Sequence, residues 1–234
     1  MLEASMLAGG ALIQLFVRFL LVPLARSVYR PVVHGITNLP EQGAVILAPN
    51  HCAALDTGVI TVVTPRQVKF LGKAEYFNGK GIRGRLMGSF LGGLGYVPVE
   101  RGNARAGLAA LETARSVLDG KGVFAIYPEG TRSLDGRLYR GHTGVAALAL
   151  ATGAKVVPVA LTGTGRLQPK GKRVPRLTKI TVTFGEPLDF SRYQGLDSQV
   201  IRRSVTDEIM YRLMELSGQE YVDCYNKRPG QDVA

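Results

Sequence analysis

The sequence predicts an α/β fold: a single domain with a central mixed, largely parallel sheet flanked by helices, preceded by an N-terminal helical segment. Three observations predict it. Short β-branched runs alternate with longer Ala- and Leu-rich runs. The short runs are bounded by Gly, Pro or charged residues. At 234 residues and 46% hydrophobic content, the chain suffices for one substantial core. No repeat or long linker divides it, so the expected boundaries are 1–30 for the N-terminal segment, 31–222 for the domain and 223–234 for a tail whose last residues, 226–234, look frayed.

The N-terminal segment comes first. "MLAGGALIQLFVRFLLVPLARSVYR", residues 6–30, is dominated by Leu, Val, Ile and Phe, but Arg18 and Pro23 break the uninterrupted run of about 20 apolar residues that a spanning helix needs. A signal peptide is excluded because Glu3 sits where basic residues belong. The expectation is one interfacial helix, or two short ones, with Arg18, Arg26 and Arg30 placed to meet anionic head groups. The alternative is a helix packed on the protein's own core.

Strands are predicted at 44–49, 68–72, 95–100, 122–128, 155–163 and 179–185. Helices are predicted at 104–120 and 144–153, both Ala/Leu-rich and closed by Gly, and at 198–218, where Val200, Val205, Ile209, Leu213 and Leu216 recur at helical spacing. Between them, residues 165–180 crowd cations into a Gly/Pro-containing loop. A solvated basic loop is the default there, with lipid or cofactor phosphates as the alternative. "GTGRL", 163–167, is superficially like a dinucleotide-binding loop, but it lacks the third glycine and comes too late in the chain.

With 29 Lys and Arg against 18 Asp and Glu, the formal charge is +11. That excess favours an anionic partner: nucleic acid, a phospholipid surface or a phosphorylated small molecule. Cys52 and Cys224 have no CxxC spacing, which argues against a disulfide framework or a zinc site and fits a reducing, cytosol-facing setting. His34, His51 and His142, with the scattered carboxylates, show no metal-ligand spacing.

Two short stretches carry the chemistry. In "APNHCAALDTGVI", 48–60, His51 and Asp56 lie about 140° apart on any α-helix, so they meet only across a turn. A strand ending at Pro49, a turn through Ala53 and a helix from near Leu55 supplies that turn. His51 is then a general base oriented by Asp56, or the two are a satisfied polar pair at a strand end. In "AIYPEGTRS", 125–133, Pro128 and Gly130 force a turn whose Gly130 and Thr131 amides are candidates for an anion or oxyanion site. Arg132 adds a phosphate-matching fork, and Glu129 could position it or a neighbouring loop; a plain turn is the alternative. Cys52 beside His51 reads as a small buried hydrophobe more readily than as a nucleophile.

The four blocks together, His51 to Asp56, "GYVPVER" at 95–101, "PEGTRS" at 128–133 and "VVPVAL" at 156–161, appear in an order that resembles the glycerolipid acyltransferases, in particular the 1-acylglycerol-3-phosphate O-acyltransferases. The resemblance spans roughly residues 30–190. It implies His51 as general base, Asp56 as its orienting partner, and Arg101, Glu129, Gly130, Thr131 and Arg132 as the site for a phosphate-bearing acceptor. Lys73, following the second strand, joins that site in similar enzymes. The implied reaction moves a fatty acyl group from an acyl thioester, on coenzyme A or acyl carrier protein, to lysophosphatidic acid. It needs no cofactor, metal or nucleic acid, and belongs on an anionic membrane surface at the cytoplasmic face. Glycerol 3-phosphate or another lysophospholipid is the alternative acceptor. A basic binding protein and a thioesterase are the readings from other classes.

Overall fold

The computed structural model describes residues 12–13, 15–77, 79, 81–100, 104–168, 174–193 and 195–226. Its centre is a seven-stranded sheet made by β1 (Val32–His34), β2 (Val45–Pro49), β3 (Val68–Lys73), β4 (Tyr96–Val99), β5 (Val123–Ala125), β7 (Lys155–Thr162) and β8 (Thr181–Phe184), in the order β1-β8-β7-β2-β5-β3-β4. Strands β7, β2, β5, β3 and β4 pair in parallel; β8 runs antiparallel to β7 and carries β1 alongside it. A separate two-stranded ribbon joins β6 (Leu138–Tyr139) to β9 (Tyr221–Val222).

The helices are α1 (Val22–Tyr29), α2 (Asp56–Val63), α3 (Gly81–Gly93), α4 (Ala104–Asp119), α5 (Gly144–Thr152), α6 (Thr164–Leu167) and α7 (Gln199–Ser217). Side-chain alternation along the buried β2 divides the core in two. Val45 and Leu47 join Ile60 and Val63 of α2 on one face of the sheet. Ile46 and Ala48 join Leu118 of α4, Val145 of α5 and Ile209 of α7 on the other. Strands covered on both faces read as continuous apolar runs, which is why β2 and β7 are legible in the sequence. Helix α7 is closed at both ends, by Ser198 accepting the Ile201 N–H at 3.2 Å and by Gly218 in the left-handed region.

Upstream of β1, a π-helical stretch, Val17–Leu21, runs into α1. Pro23 explains it: lacking an N–H and crowding the carbonyl four residues back, it disfavours a regular α-turn, and the Val22 N–H reaches five residues back to Val17. Leu15, Phe16, Phe19, Leu20, Leu24 and Val28 are exposed. The π stretch packs against α3, whose Leu86, Met87 and Phe90 are also exposed. No helix among the described residues is long and apolar enough to cross a membrane.

Helix α3 is absent from the sequence reading; it holds five glycines in 13 residues, and glycine disfavours a helix interior. One of them is a packing requirement: a Cβ on Gly84 would lie 1.9 Å from the Gly79 carbonyl oxygen. Strand β1 and the β6–β9 ribbon were also missed, being only three and two residues long. The expected tail is corrected in part. Tyr225 stacks on His142 at 4.6 Å, and Asn226 Nδ2 donates to the Arg132 carbonyl at 3.1 Å, so the chain is anchored through Asn226; residues 227–234 lie outside the described range.

Candidate active site

Parallel strands β2, β5 and β3 end at one edge of the sheet and deliver the His51 turn, the Glu129–Ser133 loop and Lys73 to it. Ligands in such sheets bind at the carboxyl ends of the strands. Where β2 stops, Asn50 keeps the ladder going with its side chain. Oδ1 accepts the Leu161 N–H at 2.7 Å and Nδ2 donates to the Leu161 carbonyl at 3.1 Å, imitating one more strand pair with β7. The backbone is thereby freed to turn.

The turn brings His51 Nδ1 to 2.9 Å from Asp56 Oδ2. Asp56 is 0% exposed at the start of α2, and the same oxygen accepts the amides of Cys52 at 2.7 Å and Ala53 at 2.8 Å. Three donors on one oxygen fix the carboxylate's orientation and assign the Nδ1–H tautomer, which makes Nε2 the acceptor. The His51 side chain is 18% exposed, and Nε2 has no hydrogen bond among the described residues. One face of the imidazole stacks on Tyr127, with centroids 3.9 Å apart and planes 18° from parallel. The Tyr127 hydroxyl shares a 2.9 Å hydrogen bond with Thr57 Oγ1 on α2.

The loop after β5 grips the backbone of His51 at both ends. Glu129 Oε1 accepts the His51 N–H at 3.0 Å, and the Ser133 N–H donates to the His51 carbonyl at 2.7 Å. The other Glu129 oxygen accepts the Tyr139 N–H at 3.0 Å. With Glu129 1% exposed and both oxygens engaged by amides, the expected ligand-binding role is corrected: its carboxylate is a strut between β6, its own loop and the His51 turn. Burial raises its pKa to about 7, outweighing those two amide bonds.

Gly130 is likewise corrected as an oxyanion donor, because its N–H closes the Pro128 turn on the Tyr127 carbonyl at 3.1 Å. At φ +69° it must be glycine, and a Cβ there would come within 2.9 Å of the His142 ring. Thr131 and the exposed Arg132 follow it at the mouth of the site. Lys73 is exposed at the end of β3. Arg101 lies outside the described residues. Among the described residues no cluster of three His, Cys, Asp or Glu forms a metal site.

Burial, with the Asp56 and Glu129 charges adding to it, pushes the Cys52 thiol up to about 12, so it stays protonated and poorly nucleophilic at neutral pH. Tyr127, Asn50, Ser133 and Gln219 are contributors that the sequence reading missed. Gln219 ties Asn50 Nδ2, at 2.7 Å, to the Gly136 carbonyl, at 2.7 Å, from 169 residues away in the chain. Asn50, Tyr127 and Ser133 lie in the two stretches that the sequence singles out, whereas Gln219 carried no local signal.

The family model described as Acyltransferase matches residues 30–162, more than half of the chain. A 1-acyl-sn-glycerol-3-phosphate acyltransferase of Bacillus subtilis is 29% identical over 189 residues, covering 80% of this chain and 88% of that protein. A chloroplast 1-acyl-sn-glycerol-3-phosphate acyltransferase of Arabidopsis thaliana is 33% identical over 146 residues, covering 61% of this chain but 39% of that protein. The chain thus spans about two fifths of the plant relative and most of the bacterial one. The crystal structure of the 1-acyl-sn-glycerophosphate acyltransferase from Thermotoga maritima matches with a TM-score of 0.63 at 25% identity, over 92% of this chain and 83% of that one.

Proposed function

Because the chain belongs to the acyltransferase family, we propose that it transfers a fatty acyl group from an acyl thioester to the free hydroxyl of 1-acylglycerol 3-phosphate, giving phosphatidic acid. The names of the bacterial and plant relatives support the choice of acceptor. The observation that carries the chemistry is the imidazole held through Nδ1 by Asp56, with Nε2 available to a substrate.

In this reading Nε2 takes the proton of the acceptor hydroxyl as its oxygen attacks the thioester carbon. The resulting imidazolium is stabilised by the Asp56 carboxylate on one side and the Tyr127 ring face on the other. The tetrahedral intermediate then expels the thiolate, which recovers the proton from Nε2. No residue of the protein becomes acylated and no cofactor takes part. Arg132, Lys73 and Arg101 are the cations assigned to the acceptor phosphate, and coenzyme A or acyl carrier protein is the donor's carrier.

The exposed apolar side chains of residues 15–28 and of α3 support docking on a lipid surface without crossing it. Arg18, Arg26, Arg83 and Arg85 on the same elements suit anionic head groups at the cytoplasmic face. The test is an acceptor-by-donor activity matrix on the purified chain, with His51→Ala alongside. Phosphatidic acid formation that His51→Ala nearly abolishes, with folding intact, is expected. Transfer confined to glycerol 3-phosphate or a phosphate-free lysolipid overturns the acceptor, and fatty acid release independent of any acceptor overturns the transfer.

A further inference from the structure

A cleft of about 530 Å³ opens beside the His51 turn, on the β7 side of the sheet. One wall is the turn itself at Cys52, a second is the loop at Arg132 and Ser133, and a third is the segment that follows β7, with Thr164, Arg166 and Gln168. The third wall lies beyond the four blocks that carry the family resemblance. So far it has no role.

Its chemistry selects one kind of ligand. No Asp or Glu lines the cleft, while two arginines do. Neither Arg132 nor Arg166 is ion-paired among the described residues, although eight other basic or imidazole groups there are. Thr164 is 0% exposed, yet its Oγ1 has no hydrogen-bond partner; Gln168 Oε1 on the same wall is also unpaired but, as an acceptor, calls for a donor rather than an anion. Native structures leave few such groups unpaired, so a hydroxyl left so in a cleft lined by two arginines points to a partner that accepts hydrogen bonds and carries negative charge. Guanidinium forks pair with phosphate through two parallel bonds, and a hydroxyl donates to its remaining oxygen.

We infer that Thr164 and Arg166, with Arg132 opposite, form a binding subsite for the phosphate group of a substrate. Two substrates of the proposed reaction carry one: the acceptor, and the carrier of the donor thioester. Lys73 leaves β3, two strands from β2, and Arg166 follows β7 on the other flank, while Arg132, assigned above to the acceptor phosphate, also lines this cleft. The choice of substrate rests on the acyl-transfer reading; the affinity of the cleft for phosphate does not.

The experiment has a binding arm and a kinetic arm, both on the full chain. Glycerol 3-phosphate and, separately, inorganic phosphate are titrated calorimetrically into wild type, Arg166→Ala, Arg166→Lys, Thr164→Val and Thr164→Ser. Saturable binding is expected, weakened about tenfold to a hundredfold by Arg166→Ala and less by Thr164→Val, with Thr164→Ser close to wild type. Equal binding by wild type and Arg166→Ala, or no saturable binding by wild type to either probe, overturns the subsite whatever the reaction proves to be. In the kinetic arm Arg166→Ala raises the KM of one substrate at nearly constant kcat. A rise confined to the acceptor assigns the cleft to the acceptor's phosphate, and one confined to the donor assigns it to the carrier. Unchanged KM for both, in an enzyme that makes phosphatidic acid, overturns the inference and leaves the proposed function standing.

Discussion

Glu129→Gln tests whether the carboxylate in "PEGTRS" works on the substrate or on His51. In the wild type its two oxygens accept the His51 and Tyr139 amides, both at 3.0 Å. The carboxamide keeps one acceptor and turns an N–H2 group toward the other amide, so one buried N–H loses its partner. Such a loss costs about 1–3 kcal/mol. Borne entirely by the orientation of His51, it would lower kcat by about fivefold to a hundredfold. Because Glu129 is buried and its folded pKa is raised from 4.5 to about 7, its contribution to stability is fully present below about 4.5 and is lost as pH rises through about 7. The difference corresponds to about 3 kcal/mol, all of it removed by the substitution. The stability deficit of Glu129→Gln, measured by urea denaturation, is therefore expected to be largest near about pH 5 and to shrink toward about pH 8, while kcat falls and the KM for the acceptor holds. An acceptor KM that rises with kcat unchanged, together with a deficit equal at the two pH values, would refute the strut and return Glu129 to the substrate.

Asp56→Asn keeps the shape, and because all three donors meet Oδ2 while Oδ1 has no partner, the amide oxygen can stay on them; what is lost is the charge that would stabilise an imidazolium. A fall in kcat of about tenfold to a hundredfold is expected, read from steady-state kinetics with thermal unfolding as control. Cys52→Ala should keep transfer within about a factor of three, since a thiol pushed up to about 12 contributes no thiolate; loss of all turnover in a folded variant would revive a covalent route. Phe19→Ser and Met87→Ser remove exposed apolar side chains from two packed elements. Each should weaken partition onto anionic vesicles by about tenfold or more without lowering the unfolding temperature, as flotation and calorimetry would show.

The central strands were legible because they are covered on both faces, and continuous apolar runs such as 44–49 and 155–163 are hard to read otherwise. Helix α3 was not, because it holds five glycines in 13 residues, of which Gly84 serves close packing against Gly79, and propensity alone counts them against a helix. The His51–Asp56 contact was legible for a different reason. Helical spacing excludes it, so the strand-turn-helix that permits it was the only arrangement in which both residues face one proton.

What the sequence could not convey is how the imidazole is held, since its supports are chiefly backbone contacts or pairs remote in the chain. The His51 amide meets Glu129, its carbonyl meets Ser133, and the preceding Asn50 is tied to Leu161 and Gln219. A backbone donor has no residue type, so a Ser133 amide leaves no mark in a one-letter string. The same logic reassigns Glu129: an acidic residue beside an arginine reads as a ligand group or its orienting partner until its burial is known. Once both carboxylate oxygens are seen on amides, the role left to it is to keep His51 in place.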